Sequence, residues 1–234
     1  SVFKWWYIAA LGEEQGEALV ERTLLGRSVL MYRRQDGVPV AMQNRCPHRS
    51  APLSLGRREG DSVICAYHGM TFDPTGACTS IPSQPVIPAG CHVRAYALVE
   101  RGPFLWIWMG DRASADPATI PDHAWLQDPG FGHVEGYFHV GANYLHLQEN
   151  VLDLTHVPFL HGTHNATVQF ADGAADVQVD GDTIRSHRSE FNRTAPPHYA
   201  ASIGCGERTV HRHSTSWFLS PAFHTALTRI EQAD

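Results

Sequence analysis

Two short segments in the N-terminal half each combine one cysteine with one histidine. One residue separates Cys46 from His48, and two residues separate Cys65 from His68. Two thiolates and two imidazoles can hold either a zinc ion or an iron–sulfur cluster. The single residue between Cys46 and His48 is awkward for zinc, whose ligands are usually spaced by two or more residues. The same spacing suits a [2Fe–2S] cluster in which one iron takes both cysteines and the other takes both histidines.

A second group of candidate ligands lies in segment 149–161, which contains two histidines five residues apart. On an unbroken α-helix this spacing turns the rings too far apart for His156 and His161 to bind one metal from the same face. Pro158 lies between them and predicts a break, because proline cannot donate a helical hydrogen bond and clashes with the preceding turn. Two imidazoles and one carboxylate, with coordination positions left open, form the mononuclear non-haem Fe(II) arrangement used for O₂ activation.

Both segments resemble motifs of one known family. Cys46-Pro47-His48-Arg49 and Cys65-Ala66-Tyr67-His68-Gly69 resemble the Rieske motif, C-x-H followed by C-x2-H. Segment 150–161 resembles the N-x2-D-x2-H-x4-H signature of Rieske non-haem iron oxygenases. One departure is Ala66, where the family usually carries proline. The resemblance implies two cofactors, a [2Fe–2S] Rieske cluster and a mononuclear Fe(II) ion.

The same resemblance implies a role for each matching residue. The cluster ligands would be Cys46, His48, Cys65 and His68, and the iron ligands would be His156 and His161. Asp153 would accept a hydrogen bond from His156 and contact a cluster histidine of a neighbouring subunit, which we expect to be His68. Asn150 would lie near the open face of the iron.

A third iron ligand, a carboxylate, is implied as well. In the family it follows the second histidine by well over a hundred residues, so we expect it beyond Asp234. The acidic residues that follow His161 in this chain match no family motif, and they are Asp172, Asp176, Asp180, Asp182, Glu190, Glu207, Glu231 and Asp234.

Hydrophobic patterning predicts the elements that must position these groups. Short β-branched or aromatic runs separated by turn signals predict an all-β first part, at 2–9, 28–33, 38–43, 62–66 and 104–109. A linker rich in Pro and Asp follows at 110–129. Segment 143–155 then predicts a helix, and alternating runs predict an antiparallel sheet, at 175–179, 183–189, 215–219 and 225–230. The pattern predicts an α+β chain, and the resemblance implies that residues 1–115 form a Rieske domain and residues 116–234 a helix-grip-like catalytic domain.

Composition excludes several classes of protein. The chain has 234 residues, 18 Lys+Arg against 24 Asp+Glu and a net charge of −6, with no basic run that would indicate a nucleic-acid partner. The apolar runs are too short to span a bilayer, and the first residues do not match a signal peptide. Five cysteines are too few for a disulfide scaffold, and Cys78, Cys91 and Cys205 show no partner spacing. We expect a cytoplasmic globular protein.

Three further segments resemble the vanillate O-demethylase branch of the family: Trp5-Trp6-Tyr7, Leu105-Trp106-Ile107-Trp108 and Asn143-Tyr144-Leu145. This resemblance implies the terminal oxygenase component of a two-component system, in which NAD(P)H and O₂ support monooxygenation or O-demethylation of an aromatic, expected to be an aromatic acid. It also implies a flavin/[2Fe–2S] reductase as partner and a homotrimer. Two alternatives stay open: ring or methyl hydroxylation within the same family, and a Rieske electron-transfer protein without a functional iron site.

Overall fold

The computed structural model describes residues 1–161, 174–219 and 221–233. It divides into two compact units, Ser1–Glu135 and Gly136–Asp234. Among the described residues, no helix is both long and apolar enough to cross a membrane. The predicted α+β architecture is confirmed, since the first unit is built on β-sheets and the second combines short helices with one antiparallel sheet.

The first unit contains two antiparallel sheets. Its strands are β1 (Trp6–Leu11), β2 (Val20–Leu24), β3 (Arg27–Arg33), β4 (Pro39–Gln43), β5 (Arg57–Glu59), β6 (Ser62–Ile64), β7 (Thr71–Phe72), β8 (Cys78–Ser80), β9 (Ala95–Arg101) and β10 (Phe104–Trp108). The larger sheet has the order β1-β10-β9-β4-β3-β2, and the smaller one has the order β5-β6-β7-β8. Alternating side chains from both sheets form the core, because successive residues of a strand point to opposite faces.

The predicted linker at 110–129 packs on the first unit as a series of single 3-10 turns. The indole N–H of Trp6 donates to the carbonyl of Asp116 at 2.9 Å. His123 is almost fully buried, and its two ring nitrogens lie 2.7 Å from the Pro121 carbonyl and 3.0 Å from the Arg101 carbonyl. These contacts hold the stretch against the end of β9.

The second unit places three short helices beside a four-stranded meander. Its elements are α1 (Tyr144–Leu152), α2 (Val157–Leu160), β11 (Asp176–Asp180), β12 (Thr183–Thr194), α3 (Pro197–Ile203), β13 (Thr209–Leu219) and β14 (Phe223–Gln232), and the sheet order is β11-β12-β13-β14. All neighbouring strands are antiparallel. Even-numbered residues of β12 and β13, such as Arg188 and Ser214, line a cavity together with Asp153 at the end of α1. The end of α1 therefore lies on the side of β12 and β13 that carries Arg188 and Ser214, and Tyr199 of α3 contacts Arg212 of β13.

Candidate metal centres

The loop that carries Cys46 follows β4 of the larger sheet. The Cys46 N–H donates to the carbonyl of Ala51 at 2.9 Å, and the Ser50 N–H donates to the carbonyl of Cys46 at 3.0 Å. These bonds fold five residues into a tight turn that points the cysteine side chain inward. Ser50 closes the turn with φ 60°, a left-handed conformation that is uncommon for a residue with a side chain.

The loop that carries Cys65 repeats this turn after β6 of the smaller sheet. The Cys65 N–H donates to the carbonyl of Met70 at 2.9 Å, and the Gly69 N–H donates to the carbonyl of Cys65 at 3.0 Å. Gly69 occupies the left-handed position with φ 72°, which glycine adopts without steric cost. Each sheet thus presents one copy of the same turn.

The four predicted cluster ligands converge where the two turns meet. Cys46 and Cys65 are each only 2% exposed, and their thiols are neighbours. His48 and His68 lie on the outer side, with their Nδ1 atoms 3.2 Å apart and their ring centroids 4.6 Å apart. The two sulfurs therefore form an inner pair and the two imidazoles form an outer pair.

This arrangement fits a [2Fe–2S] cluster with two thiolates on one iron and two imidazoles on the other. The separation into one thiol pair and one imidazole pair is what such a cluster requires, since each iron takes one pair.

The electrostatic environment of Cys46 indicates what a bound metal must supply. Burial raises the pKa of the Cys46 thiol, the neighbouring Cys65 raises it further, and the backbone N–H groups of His48 and Arg49 lower it. A thiolate at this site therefore requires positive charge nearby, which an iron bound to the sulfur would provide.

A cavity of about 620 Å³ opens beside the imidazole pair. The segment 81–90, which we call the strap, forms its opposite wall, with Ile81, Pro82 and Pro88 among the lining residues. Cys91 follows the strap and also lines the cavity. Sequence spacing related neither Cys78 nor Cys91 to another cysteine. In the structure the Cys78 N–H donates to the carbonyl of Cys91 at 3.3 Å, and burial followed by the neighbouring Cys91 raises the pKa of the Cys78 thiol. This proximity arises from the pairing of distant segments and not from a short motif.

The second predicted centre lies where α1 ends. The helix stops at Leu152, and Asp153 has an extended backbone with φ −92° and ψ 95°. The Asp153 carboxylate accepts from the backbone N–H of Thr155 at 2.9 Å and from its hydroxyl at 2.6 Å. This local capping competes with helix continuation. The helix therefore breaks at Asp153, whereas the sequence predicted the break at Pro158, which occupies the first turn of α2 where proline is tolerated.

The break brings the two predicted iron ligands near each other. The rings of His156 and His161 have centroids 5.4 Å apart and planes inclined by 58°. His156 Nδ1 lies 2.6 Å from the main-chain carbonyl of Asp153. Because a carbonyl only accepts, Nδ1 carries the proton, and Nε2 is left with the lone pair that a metal needs. The structure thus places His156 against the backbone of Asp153 and not against its carboxylate.

The charge of Asp153 is stabilised by its surroundings. Hydrogen bonds from the side chain and backbone of Thr155 lower the pKa of the Asp153 carboxyl, and the positive charge of Arg188 lowers it further. Arg188 is buried on β12 and lines the same 450 Å³ cavity as Asp153. Asn150 lies on α1 with its side chain exposed.

The described residues supply two of the three ligands expected for the iron. In the part of the chain that the structure describes, no carboxylate joins His156 and His161 to form a three-residue group. Two of the acidic residues that follow His161, Asp172 and Asp234, lie outside the described residues. The two imidazoles nevertheless fit the two histidine positions of a mononuclear iron site, with the Nδ1 of His156 held by a backbone carbonyl.

The sequence did not predict one buried polar residue on α1. Gln148 is the buried residue of that helix, and its Oε1 atom has no hydrogen-bond partner among the described residues. It lies two residues before Asn150, inside the segment that already carried the metal signature. Its burial could have been inferred only from the packing of α1 on the sheet.

Family comparisons agree with the two halves of the structure. Residues 4–96 match the Rieske [2Fe-2S] domain, and residues 140–234 match the vanillate O-demethylase oxygenase C-terminal domain. Both the predicted boundary after residue 115 and the end of the first compact unit, Glu135, fall in the stretch between these matches.

Several curated proteins are similar to the chain. The toluene-4-sulfonate monooxygenase system iron-sulfur subunit of Comamonas testosteroni is 46% identical over 191 residues, which cover 80% of this chain and 54% of that protein. The oxygenase component of dicamba O-demethylase from Stenotrophomonas maltophilia is 43% identical, with 70% and 49% covered. The vanillate O-demethylase oxygenase subunit of a Pseudomonas strain is 33% identical, with 85% and 56% covered. The chain spans about half the length of the curated relatives it matches.

Solved structures extend the similarity to the whole fold. Dicamba monooxygenase bound to 3,6-dichlorosalicylic acid superposes with a TM-score of 0.91 at 33% identity, covering 99% of this chain and 68% of that one. The same enzyme with non-heme iron and dicamba gives a TM-score of 0.85 at 32% identity, covering 100% and 68%. With a Rieske domain, a matching oxygenase domain and these relatives, the chain belongs to the family of Rieske oxygenase subunits.

Proposed function

We propose that the chain is the terminal oxygenase component of a two-component system that monooxygenates an anionic aromatic compound, with O-demethylation as the favoured reaction. The observation that carries this proposal is the presence in one chain of two separate ligand sets of different chemistry. Cys46, Cys65, His48 and His68 suit electron transfer. His156 and His161 suit O₂ activation, because two imidazoles leave coordination positions open.

The names of the relatives support the substrate class. They specify toluene-4-sulfonate, dicamba and vanillate, and two of these names denote anions. For a methyl ether, insertion of one oxygen atom into a C–H bond of the methyl group gives a hemiacetal. The second oxygen atom leaves as water after uptake of two electrons and two protons. The hemiacetal then breaks its C–O bond and releases formaldehyde and a phenol.

Each set of side chains contributes a definite function to this reaction. When bound, the cluster and the iron supply one-electron transfer and O₂ chemistry. The backbone carbonyl of Asp153 holds the proton of His156 at Nδ1, which directs Nε2 toward a metal. His48 and His68 present their ring edges to the open side of the cluster loops, where an electron can leave.

The proposal includes an assembly and a partner. In a homotrimer, the ionised Asp153 carboxylate of one subunit would accept a hydrogen bond from His68 of the next, so that electrons pass between subunits. An NAD(P)H-dependent flavin/[2Fe–2S] reductase would supply them, in the cytoplasm. Asn150 would stand beside the open iron positions.

Formaldehyde release tests this function directly. The purified protein, loaded with iron and sulfide, is mixed with a flavin reductase, NADH, O₂ and a panel of methoxylated aromatic acids. We expect formaldehyde in proportion to NADH consumed with at least one acid, and none with His156→Ala. His146→Ala is the matched control, since His146 is an exposed histidine on α1 that pairs only with Glu149 among the described residues.

Other outcomes distinguish the alternatives. Hydroxylated products without formaldehyde would assign ring or methyl hydroxylation. A cluster that accepts electrons while no O₂ is consumed with any substrate would assign a pure electron carrier. The second outcome would agree with the finding that the described residues provide two iron ligands and not three.

A further inference from the structure

Two cysteines beside the cluster loops face each other across paired antiparallel segments. Ala77 and His92 form an antiparallel bridge, which places Cys78 directly opposite Cys91. The Cys78 N–H donates to the carbonyl of Cys91 at 3.3 Å. Residues directly opposite in such a pair have Cα atoms about 4.5–5.5 Å apart. This separation lies inside the range of about 4.4–6.8 Å that a disulfide requires.

The two thiols are neighbours. Both cysteines are free, and burial followed by the nearby Cys91 raises the pKa of the Cys78 thiol. The Cys78 thiol donates to the carbonyl of Ser80 at 3.6 Å. The strand pairing therefore sets the two cysteines at a separation that suits a covalent bond.

The two thiols differ in solvent exposure, and this difference predicts which of them reacts first with a reagent in solution. Cys78 belongs to the hydrophobic core and is 9% exposed, and burial raises its pKa to about 11. Cys91 is partly exposed and lines the 620 Å³ cavity. A reagent in solvent therefore meets Cys91 first, because thiol–disulfide exchange depends on access to the attacking thiolate.

We propose that Cys78 and Cys91 are a redox modification site, which forms a reversible disulfide when the cluster-containing protein meets an oxidised low-molecular-weight disulfide such as oxidised glutathione. The Cys91 thiolate attacks one sulfur of the reagent, forms a mixed disulfide and expels one reduced thiol. Cys78 then loses its proton and attacks the Cys91 sulfur of the mixed disulfide, which expels the second reduced thiol of the reagent. In total, two protein thiols lose two electrons and two protons, and the reagent gains them as two thiols.

The bond would close the strap into a covalent loop beside the cluster. The strap lies between Cys78 and Cys91 in sequence, and its Pro82 and Pro88 line the cavity opposite His48 and His68. In the reduced protein, hydrogen bonds and packing hold this wall in place. In the oxidised protein, a covalent link would join both ends of the wall, next to the imidazoles that exchange electrons.

Peptide mapping of the whole, cluster-loaded chain tests the site. The protein is equilibrated without O₂ in buffers of rising oxidised-to-reduced glutathione ratio, alkylated with iodoacetamide, digested and examined by mass spectrometry. We expect one cross-linked peptide that joins Cys78 to Cys91 as the ratio rises, and its loss after addition of dithiothreitol. The visible absorbance of the cluster is recorded in the same samples, to show that Cys46 and Cys65 remain bound to iron.

Two variants make the test specific. Cys91→Ser changes a partly exposed residue and should abolish the cross-link while leaving Cys78 alkylatable under denaturing conditions. Cys205→Ser removes a buried free thiol of the second unit and should leave the cross-link unchanged. The site is contradicted if both thiols stay alkylatable at every ratio, if Cys91 stops at the glutathione adduct, or if the cross-link appears only after the cluster absorbance is lost. Because neither substrate nor turnover enters the assay, its result is independent of the proposed oxygenase reaction.

Discussion

At the scale of single residues, His156 shows how a backbone group selects the chemistry of a side chain. Its Nδ1 is engaged by the carbonyl of Asp153 at 2.6 Å, so Nε2 is the nitrogen available to a metal. The conformation of Asp153 that offers this carbonyl depends in turn on the two hydrogen bonds from Thr155. A ligand and its orientation are thus encoded within four consecutive positions.

Removal of the His156 ring should empty the mononuclear iron site and leave the cluster intact. We expect His156→Ala to keep the visible absorbance and acid-labile sulfide of the cluster, while iron content falls from about three to about two per chain. His146→Ala should keep all of the iron. Iron and sulfide analysis of the purified variants measures this, and a loss of sulfide in His156→Ala would contradict the assignment of His156 to a separate site.

The Asp153 carboxylate can be tested without loss of the local fold. In Asp153→Asn the amide oxygen can still accept from Thr155, but the negative charge disappears. If that charge couples His156 to a neighbour's His68, turnover should fall at least about tenfold, the scale observed for residues that orient metal ligands, while the cluster stays reducible. Asp180→Asn, an exposed carboxylate at the end of β11, is the control. Turnover near that of the unmodified protein would assign Asp153 only a capping role.

At the scale of elements, the two cluster turns have the same hydrogen-bond pattern but differ at the left-handed position. Ser50 adopts φ 60° there despite its side chain. Gly69 has φ 72° and also lies close to the strap. A Cβ added at Gly69 would lie 3.0 Å from Cγ of Pro82. The second turn and the strap therefore constrain each other.

A glycine pair makes this constraint measurable. Gly69→Ala and Gly60→Ala both place a side chain at positive φ, and each should lower the free energy of unfolding by about 1–2 kcal/mol. A Cβ at Gly60 meets nothing within 4 Å, so this variant reports backbone strain alone. We expect only Gly69→Ala to lose its cluster absorbance faster on heating. Equal rates of cluster loss in the two variants would show that the contact with Pro82 has no influence.

The element scale is also where sequence reasoning reached its limit. The ligand turns and the strands at 28–33, 39–43 and 104–108 were predictable, because local spacing and apolar runs determine them. β2 and β9 were not, since residues such as Glu21, Arg22 and Glu100 place charges on strands that hydrogen bonds to neighbouring strands stabilise. The contact between Cys78 and Cys91 likewise depends on pairing between distant segments.

At the scale of the whole molecule, the two metal-binding units of one chain can be tested for cooperation between chains. In the proposed homotrimer, electrons would pass from the cluster of one subunit to the iron of the next. A chain without a cluster, such as Cys46→Ser, and a chain without the iron, such as His156→Ala, should each be inactive alone. In a mixed oligomer the two variants complement each other, because Cys46→Ser keeps the iron site and His156→Ala keeps the cluster.

Co-expression of these two variants tests that route. We expect mixed oligomers to regain a measurable fraction of the turnover of the unmodified protein, because an intact cluster can then face an intact iron site. Co-expression of Cys46→Ser with His68→Ala, two variants that both lack the cluster, is the matched control and should stay inactive. Absence of activity in the first mixture, with mixed oligomers confirmed by mass spectrometry, would place electron transfer within one chain.

The 3-10 stretch that follows β10 has a consequence for recombining this chain with its relatives. Ile120 and His123 are buried in the first unit, and Asp116 accepts the hydrogen bond of Trp6. In a chimera joined near residue 115, the segment that packs over Trp6 and the end of β9 would come from the other protein. Its side chains would not match the surface that they cover. A crossover after Glu135 keeps the native cover with the surface it protects. In a library of hybrid oxygenases, that crossover position should yield the larger share of folded, coloured proteins.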